Sequence, residues 1–410
     1  MTALTAAMVC HAADDSIGKV VSPTATLLRR GDDAWIALKQ DANVPADSRL
    51  LALPGSRGEV QLKNLKMGIL GNVPEFDNFP VLESMVTFNP TREAELDFTL
   101  NRGRILLSKP KTERPVKVVA RFLQGSTELL LPADAVALGL EQYGRWPLGT
   151  QFKKNPDAKD APFSVVSLYQ LMGDINLKVG TEQHLVRAGS VFHWDNIAGP
   201  DGRPARLDPL PAWTKGVPDT AEAKVMQTAV AKLQGELAKQ PVAKAIDAAL
   251  VSDEPRQREL AVYALTALDK LPQLVAALGD AKNADVREDA INGLRHWMGQ
   301  QADHPAELYR HLTSELKYPE TQGEIALQLL YSFPENERDR AETYETLIEY
   351  LRHDKLPIRE LARGQLYRWV IAGRKIPYDA AGSAADRDKG YQAWKKLIPS
   401  GKLPPKAEKP

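Results

Sequence analysis

Histidine is the residue type of this chain whose spacing most directly suggests a chemical site. His296, His304 and His311 fall close together in the C-terminal half. Imidazole is a common metal ligand, but this spacing matches no established ligand motif, and His304 directly precedes a proline. We therefore predict solvated or half-buried histidines here, with no metal ion and no other cofactor.

A second candidate group lies near residue 195. His193, Trp194 and Asp195 are consecutive at the end of a predicted strand, where they could line a ligand groove. A packed tryptophan with polar neighbours is the more common arrangement, because tryptophan buries its ring and keeps its N–H bonded. Asp195, Asp201 and Asp208 occupy a loop rich in Gly and Pro, but their spacing differs from an EF-hand, so calcium is not expected.

Catalytic sequence motifs are missing from the chain. It contains no phosphate-binding loop, no dinucleotide fingerprint, no nucleophile elbow and no H-E-x-x-H motif. Its one cysteine, Cys10, cannot form a thiolate zinc cluster. These observations predict a protein that is not an enzyme. A hydrolase with an inconspicuous pair of carboxylates is the third and weakest interpretation.

Composition narrows the class of partner. Lys plus Arg total 53, equal to Asp plus Glu, so a nucleic-acid partner is not expected. No apolar run approaches the roughly 18–20 residues that span a bilayer, so no transmembrane segment is predicted.

Residues 1–16 are Ala-rich and apolar before they turn acidic, with small residues at Cys10 and Ala12. They are interpreted as a truncated signal peptide or as a disordered N-terminus.

The elements that must position any site fall into two regions. Residues 17–211 contain short alternating apolar runs between Gly, Pro, Asn and Asp, which predict an antiparallel, all-β sandwich or roll. Residues 195–218 are dense in Pro, Gly and Asp and are interpreted as the boundary loop. Residues 212–240 are predicted to be a linker followed by a helix that Asp219 and Thr220 cap.

A repeat fills the region 241–398. The pattern E-x-A-x-x-x-L occurs four times, about 30 to 36 residues apart, which indicates a helical solenoid. Its Ala and Leu positions are Ala261–Leu265, Ala290–Leu294, Ala326–Leu330 and Ala362–Leu366. A large apolar residue follows each Ala by seven positions: Leu268, Trp297, Phe333 and Trp369. These residues are expected in the core, and residues 399–410 are predicted to form a disordered tail.

Each repeat is predicted to be a pair of helices with a turn between them. The turns contain Pro255, Asp285, Pro319 and Pro357. Proline fits the first turn of a helix, and Asp285 is predicted to cap the helix that follows it.

The repeat resembles HEAT repeats over residues 240–372. The segment Asp285-Val286-Arg287-Glu288-Asp289-Ala290 is the closest match, and Arg258 and Arg359 match the same Arg position. The resemblance implies a ladder of Asp and Arg side chains between neighbouring repeats. Gly323 replaces the Arg in the third repeat, so the ladder is expected to be interrupted there.

The N-terminal region resembles the FecR-like domain. The matching stretches are Gly18-Lys19-Val20, the segment from Val44 to Leu50, the segment from Pro54 to Leu62, and the strand from Leu96 to Ile105. Together with Tyr143-Gly144-Arg145-Trp146-Pro147 and the ending from Tyr391 to Pro399, the layout is similar to FecR-domain proteins of planctomycete bacteria. The resemblance implies an extracytoplasmic module for signalling or envelope interactions. It does not imply sigma-factor regulation, because the sequence shows no counterpart of the transmembrane helix and the cytoplasmic sigma-regulating segment of the family's namesake regulator.

The leading functional hypothesis is a non-enzymatic interaction or sensing protein of the periplasm or cell envelope, with the cytoplasm as the alternative location. Its solenoid would bind a protein partner. Tyr263 and Tyr367 are out of phase with the buried stripe and are the candidate contact residues. The alternative is a carbohydrate- or wall-binding protein that holds envelope polysaccharide on Trp146 or Trp194.

Overall fold

The computed structural model describes residues 16–77, 80–123, 125–157, 159–197, 199–200 and 203–405. Residues 1–15, with Cys10 and most of the proposed signal segment, lie outside the described part of the chain, as do Asp201 and residues 406–410.

The N-terminal half is mostly β, as predicted. Eighteen strands occur within the described residues: β1 (Ser16–Val20), β2 (Leu28–Arg30), β3 (Trp35–Ala37), β4 (Asn43–Pro45), β5 (Arg49–Ala52), β6 (Arg57–Leu62), β7 (Lys66–Leu70), β8 (Ser84–Phe88), β9 (Leu96–Lys109), β10 (Val116–Phe122), β11 (Gly125–Leu131), β12 (Val136–Arg145), β13 (Phe163–Met172), β14 (Ile175–Val179), β15 (Glu182–Val186), β16 (Ser190–Asp195), β17 (Gly199–Pro200) and β18 (Ala205–Arg206).

The strands form two sheets that share β9. One sheet has the order β4-β1-β6-β7-β9-β12-β13-β16, with β17 and β18 on its last strand. The other has the order β3-β2-β5-β8-β9-β10-β11-β14-β15. All pairings are antiparallel except β9 with β10. Apolar side chains from both sheets form one buried cluster between them.

Strand β9 passes from one sheet to the other at Gly103. Its first half pairs with β8 and β10, and its second half with β7 and β12. Gly103 has a φ of 97°, and a Cβ atom there would lie 2.2 Å from the Ser84 hydroxyl oxygen. Only glycine fits this bend, because other residues rarely adopt that φ and would collide with β8.

Ten α-helices follow in the described chain: α1 (Ala221–Leu237), α2 (Val242–Leu250), α3 (Pro255–Ala267), α4 (Leu271–Leu278), α5 (Ala284–Gln300), α6 (His304–Arg310), α7 (Glu320–Tyr331), α8 (Ala341–Tyr350), α9 (Leu356–Trp369) and α10 (Ala384–Leu397). Thr220 caps α1 by accepting a hydrogen bond from the backbone N–H of Ala223, as predicted. Proline stands in the first turn of α3 and α9, also as predicted.

The repeated Ala–Leu stripe is buried in α3, α5, α7 and α9, as the periodicity predicts. Asp285 does not cap α5, however. It lies inside the first turn of that helix and accepts two hydrogen bonds from Arg258, at 3.0 and 2.6 Å. Arg287 does not bind α7; it bonds Glu360 of α9 at 2.7 Å. Ionic contacts therefore join α3 to α5 and α5 to α9.

The two regions share an apolar core. The largest buried cluster contains residues of nearly every helix together with seven residues of the β region: Ala25, Leu28, Leu51, Leu53, Val73, Phe76 and Met85. The helices therefore pack directly on the β region, which also has the separate buried cluster between its two sheets.

The predicted linker also packs closely. Trp213 is buried, contacts Tyr169 edge to face with ring centres 5.6 Å apart, and lies under the Arg104 guanidinium. Its carbonyl accepts a hydrogen bond from Arg57 at 3.0 Å. The start of the predicted tail also contacts the helical region, since Ser400 donates a hydrogen bond of 2.7 Å to Glu345 in α8.

Across the described residues, no helix combines the length and apolar character required to span a bilayer.

Candidate functional site

A large cleft lies between the end of the two sheets and the helices, with a volume of about 1550 Å³. We call it the junction cleft. The β region contributes hairpin ends, and the helical region contributes the segments after α3 and α5. Residues that line it include Arg30, Trp35, Arg49, Arg102, Phe122, Trp194, Asp195, Asp269, Lys270 and Asp303.

A buried ionic cluster lies at the inner wall of the junction cleft. The Glu83 side chain has no exposed surface and bonds the Arg102 guanidinium. It also contacts Nε2 of His296 at 3.1 Å and accepts a hydrogen bond from the Gln300 amide at 2.7 Å. Arg102 in turn donates to the Ala267 carbonyl at 2.9 Å. One carboxylate thus connects the residue before β8 with β9 and α5.

The environment keeps Glu83 ionised. Burial alone would raise its pKa, but the charges and hydrogen bonds of His296 and Arg102 lower the pKa to about 2. A base for proton transfer needs a pKa near the working pH, so Glu83 acts as a structural anchor. The sequence contains a hint of this cluster, because Glu83 is a charged residue flanked by the apolar pairs Val81-Leu82 and Met85-Val86. A buried charge requires a partner.

The mouth of the junction cleft carries charges of both signs on exposed side chains. Arg49 and Arg30 lie on the sheet side, and Lys270 and Asp269 follow α3. The Arg30 guanidinium lies 5.7 Å from the ring centre of Trp35. The arrangement offers hydrogen-bond donors and acceptors to an extended polar ligand.

Trp194 lines this cleft, as the groove hypothesis requires, but only 6% of it is exposed. Its ring packs edge to face on Phe122, with centres 5.3 Å apart, and also contacts Phe192. The packed arrangement that the sequence favoured is therefore confirmed, and little ring surface remains for stacking on a sugar.

Trp146 lies elsewhere. Its Nε1–H donates a hydrogen bond of 2.7 Å to the Met298 carbonyl in α5, and its ring packs edge to face on Tyr331 in α7. It therefore joins the β region to the helices. Trp146 also lines a second pocket, which is separate from the junction cleft.

The two tyrosines occupy different environments. Only 3% of Tyr263 is exposed, so this candidate contact residue offers almost no surface to a partner. Tyr263 lies between α3 and α5, where its hydroxyl donates a hydrogen bond of 3.2 Å to Asp289. Tyr367 is half-buried beneath the Arg363 guanidinium and donates to the Ile376 carbonyl at 2.7 Å.

The three clustered histidines do not converge. All are buried rather than solvated or half-buried, because each packs inside the helix array with its own partner. His296 contacts Glu83, Nδ1 of His304 contacts the Trp297 carbonyl at 2.6 Å, and Nδ1 of His311 contacts Glu315 at 2.8 Å. No group of three or more potential metal ligands occurs in the part of the chain that the structure describes.

A scan against protein-family models, a search of curated proteins and a search of solved structures each find no match to this chain. The class that the fold defines is a mixed α and β protein, with a two-sheet β region packed on paired helices. The resemblances to FecR-like domains and HEAT repeats remain predictions.

Proposed function

We propose that this chain is a non-enzymatic binding protein that holds a segment of a partner polypeptide in the junction cleft. The observation that carries the proposal is the cleft itself. Its volume of about 1550 Å³ exceeds the roughly 300–1,000 Å³ of ordinary small-molecule pockets. Both regions of the chain contribute to its walls, so a bound segment would contact the sheets and the helices at once.

The chemistry of the walls supports a polypeptide. Exposed cations, exposed carboxylates and partly exposed aromatic rings occur together, which matches the mixed character of a polypeptide surface. The carbohydrate alternative is less well supported, because Trp194 is packed and Trp146 is bonded to α5 outside the cleft.

We also propose that the β region is FecR-like, that the helical region is a HEAT-like array, and that the protein works in the periplasm or envelope. The ion pair between Arg258 and Asp285 supports the array, since the family resemblance implies such contacts between neighbouring repeats.

The test is photo-cross-linking in cells with the full-length chain, because the shared core argues against testing an isolated half. A photoreactive amino acid is placed at Leu123 or Gln301 in the junction cleft, or at Lys244 in α2 as the distant control. Mass spectrometry identifies the adducts. Cross-links to one protein from the cleft positions alone are expected, and the compartment of that protein tests the proposed location.

A charge-reversal variant sharpens the test. Arg49→Glu combined with Lys270→Glu changes two exposed cations of the cleft and should reduce the cross-linking yield several-fold. Lys244→Glu makes the same kind of change outside the cleft and should leave the yield unchanged. Equal labelling from Lys244, or adducts with glycan instead of protein, would overturn the proposal.

A further inference from the structure

The second pocket has an unusual charge composition. It lies between the end of β12 and helices α5 and α7, with a volume of about 760 Å³. Residues that line it include Arg145, Trp146, Phe163, Arg295, Tyr331 and Arg368. No aspartate or glutamate is among the described residues that line it. We call it the arginine pocket.

Arg295 is the central cation of the arginine pocket and is half-buried. Its Nε and Nη2 groups donate to the carbonyls of Leu330 and Leu329, at 3.0 and 3.4 Å. Those carbonyls belong to the last turn of α7 and carry only a partial negative charge. The Nη1 group forms no hydrogen bond with any residue that the structure describes.

A counter-ion for Arg295 is missing from the surrounding described residues. Neither Arg295 nor the exposed Arg368 forms an ion pair in that part of the chain, and Arg145 likewise has none. Burial, followed by the positive charge of Arg368, lowers the pKa of Arg295 to about 10. Glu83, beyond His296, is already bonded to Arg102 and Gln300.

We propose that the arginine pocket binds a small organic anion, with its carboxylate or phosphate head on Arg295 and Arg368 and its apolar body on the rings of Trp146 and Phe163. The volume falls within the range of small-molecule sites, and the lining is largely apolar with a few convergent polar groups. Arginine is also the side chain best suited to binding carboxylate and phosphate through paired hydrogen bonds. This site is independent of polypeptide binding in the junction cleft.

The test is isothermal titration calorimetry of the full-length protein with four probes of equal chain length: octanoate, octyl phosphate, octylamine and octanol. Octanoate or octyl phosphate should bind with a measurable Kd, and the neutral and cationic probes should not. Tighter binding of octanoate identifies a carboxylate head, and tighter binding of octyl phosphate identifies a phosphate head. Binding of octanol as strong as that of both anions would overturn the proposal.

Two variants locate the site. Arg295→Met removes the half-buried cation, and Arg368→Gln removes the exposed one without disturbing the core. Each should weaken binding of the preferred anion by about tenfold or more, because each removes a charge-assisted hydrogen bond. Arg310→Gln, an exposed position outside the pocket, is the matched control. Unchanged affinity in Arg368→Gln and in folded Arg295→Met would overturn the assignment.

Discussion

The two sites on either side of the last turns of α5 differ in how their charges are compensated. On the side of the junction cleft, Glu83 bonds Arg102, His296 and Gln300. On the other side, Arg295 has two main-chain carbonyls and no carboxylate among the described residues. Because His296 and Arg295 are adjacent in sequence, one helix presents a balanced cluster and an unbalanced one.

This difference distinguishes an anchor from a candidate site. The Glu83 carboxylate already has cationic and amide partners, so its cluster fixes the position of the chain before β8 relative to β9 and α5. A half-buried cation that has only main-chain carbonyls as partners is incompletely compensated, and an anion would add the missing opposite charge. The comparison predicts a large loss of stability when one charge is removed from the Glu83 cluster, and little change when the charge of Arg295 is removed.

The largest effect is expected for Glu83→Gln. The substitution keeps the shape but leaves Arg102 and His296 without their carboxylate, so we expect the free energy of unfolding to fall by about 3–5 kcal/mol. Urea unfolding at pH 7 followed by circular dichroism measures the change. The control is Glu128→Gln, whose carboxylate pairs with Lys117 on the surface and should cost less than about 1 kcal/mol. Similar losses in the two variants would show that Glu83 is not an anchor.

A smaller effect is expected for Gly299→Ala, between the two sites. The backbones of α5 and β12 touch here, and a Cβ atom on Gly299 would lie 2.6 Å from the Gly144 carbonyl oxygen. The sheet and the helix must move apart, at a cost of about 1–3 kcal/mol. Gly235→Ala in α1 is the control, because a Cβ atom there meets no other atom within 4 Å and should stabilise the helix by about 0.5–1 kcal/mol. A neutral result for Gly299→Ala in the same urea assay would contradict this contact.

The sequence predicts the helices and strands better than it predicts the contacts between them. The Ala261–Leu265 stripe and its repeats are predictable because a helix with one buried face has a fixed apolar period. The strands of the β region are predictable from alternation for the same reason. The transfer of β9 between sheets is not, because it depends on the fit of Gly103 against Ser84.

The candidate sites depend on contacts between distant parts of the chain. Glu83 and His296 are 213 residues apart, and no local pattern pairs them. The sequence suggests Trp146 only as an aromatic residue that could hold polysaccharide, and its bond to Met298 depends on the packing of the chain after β12 on α5. Tyr263 is out of phase with the core stripe but is buried because α3 packs against more than one neighbour.

A pH-dependent effect of about 1 kcal/mol or more is expected for Asp289, a half-buried carboxylate in α5. Burial, followed by the negative charge of Glu259, raises the pKa of Asp289 to about 8. The folded protein therefore retains a proton that the unfolded chain releases near pH 4, and stability falls as the pH rises from about 4 to about 8. Asp289→Asn cannot ionise, so it should be more stable than the wild type at pH 9, by an amount that shrinks towards pH 4.

Glu83 makes stability change with pH in the opposite direction. Its folded pKa of about 2 lies below the usual value, so its contribution is complete above about pH 4.5 and is lost as the pH falls towards 2. Urea unfolding from pH 3 to pH 9 measures both trends, with Asp247→Asn as an exposed control. A constant difference between Asp289→Asn and the wild type across this range would show that Asp289 titrates normally.

The smallest change in stability is expected for Arg295→Met. The substitution removes a half-buried charge and also leaves the Leu329 and Leu330 carbonyls without their donor, so the two effects oppose each other. We expect the free energy of unfolding to change by less than about 1 kcal/mol, whereas Arg102→Met should cost about 3 kcal/mol because it strips Glu83 of its main partner. Equal losses in the two variants would mean that Arg295 is compensated as fully as Arg102. The comparison between the two sides of α5 would then fail, and the arginine pocket would have no need of an anion.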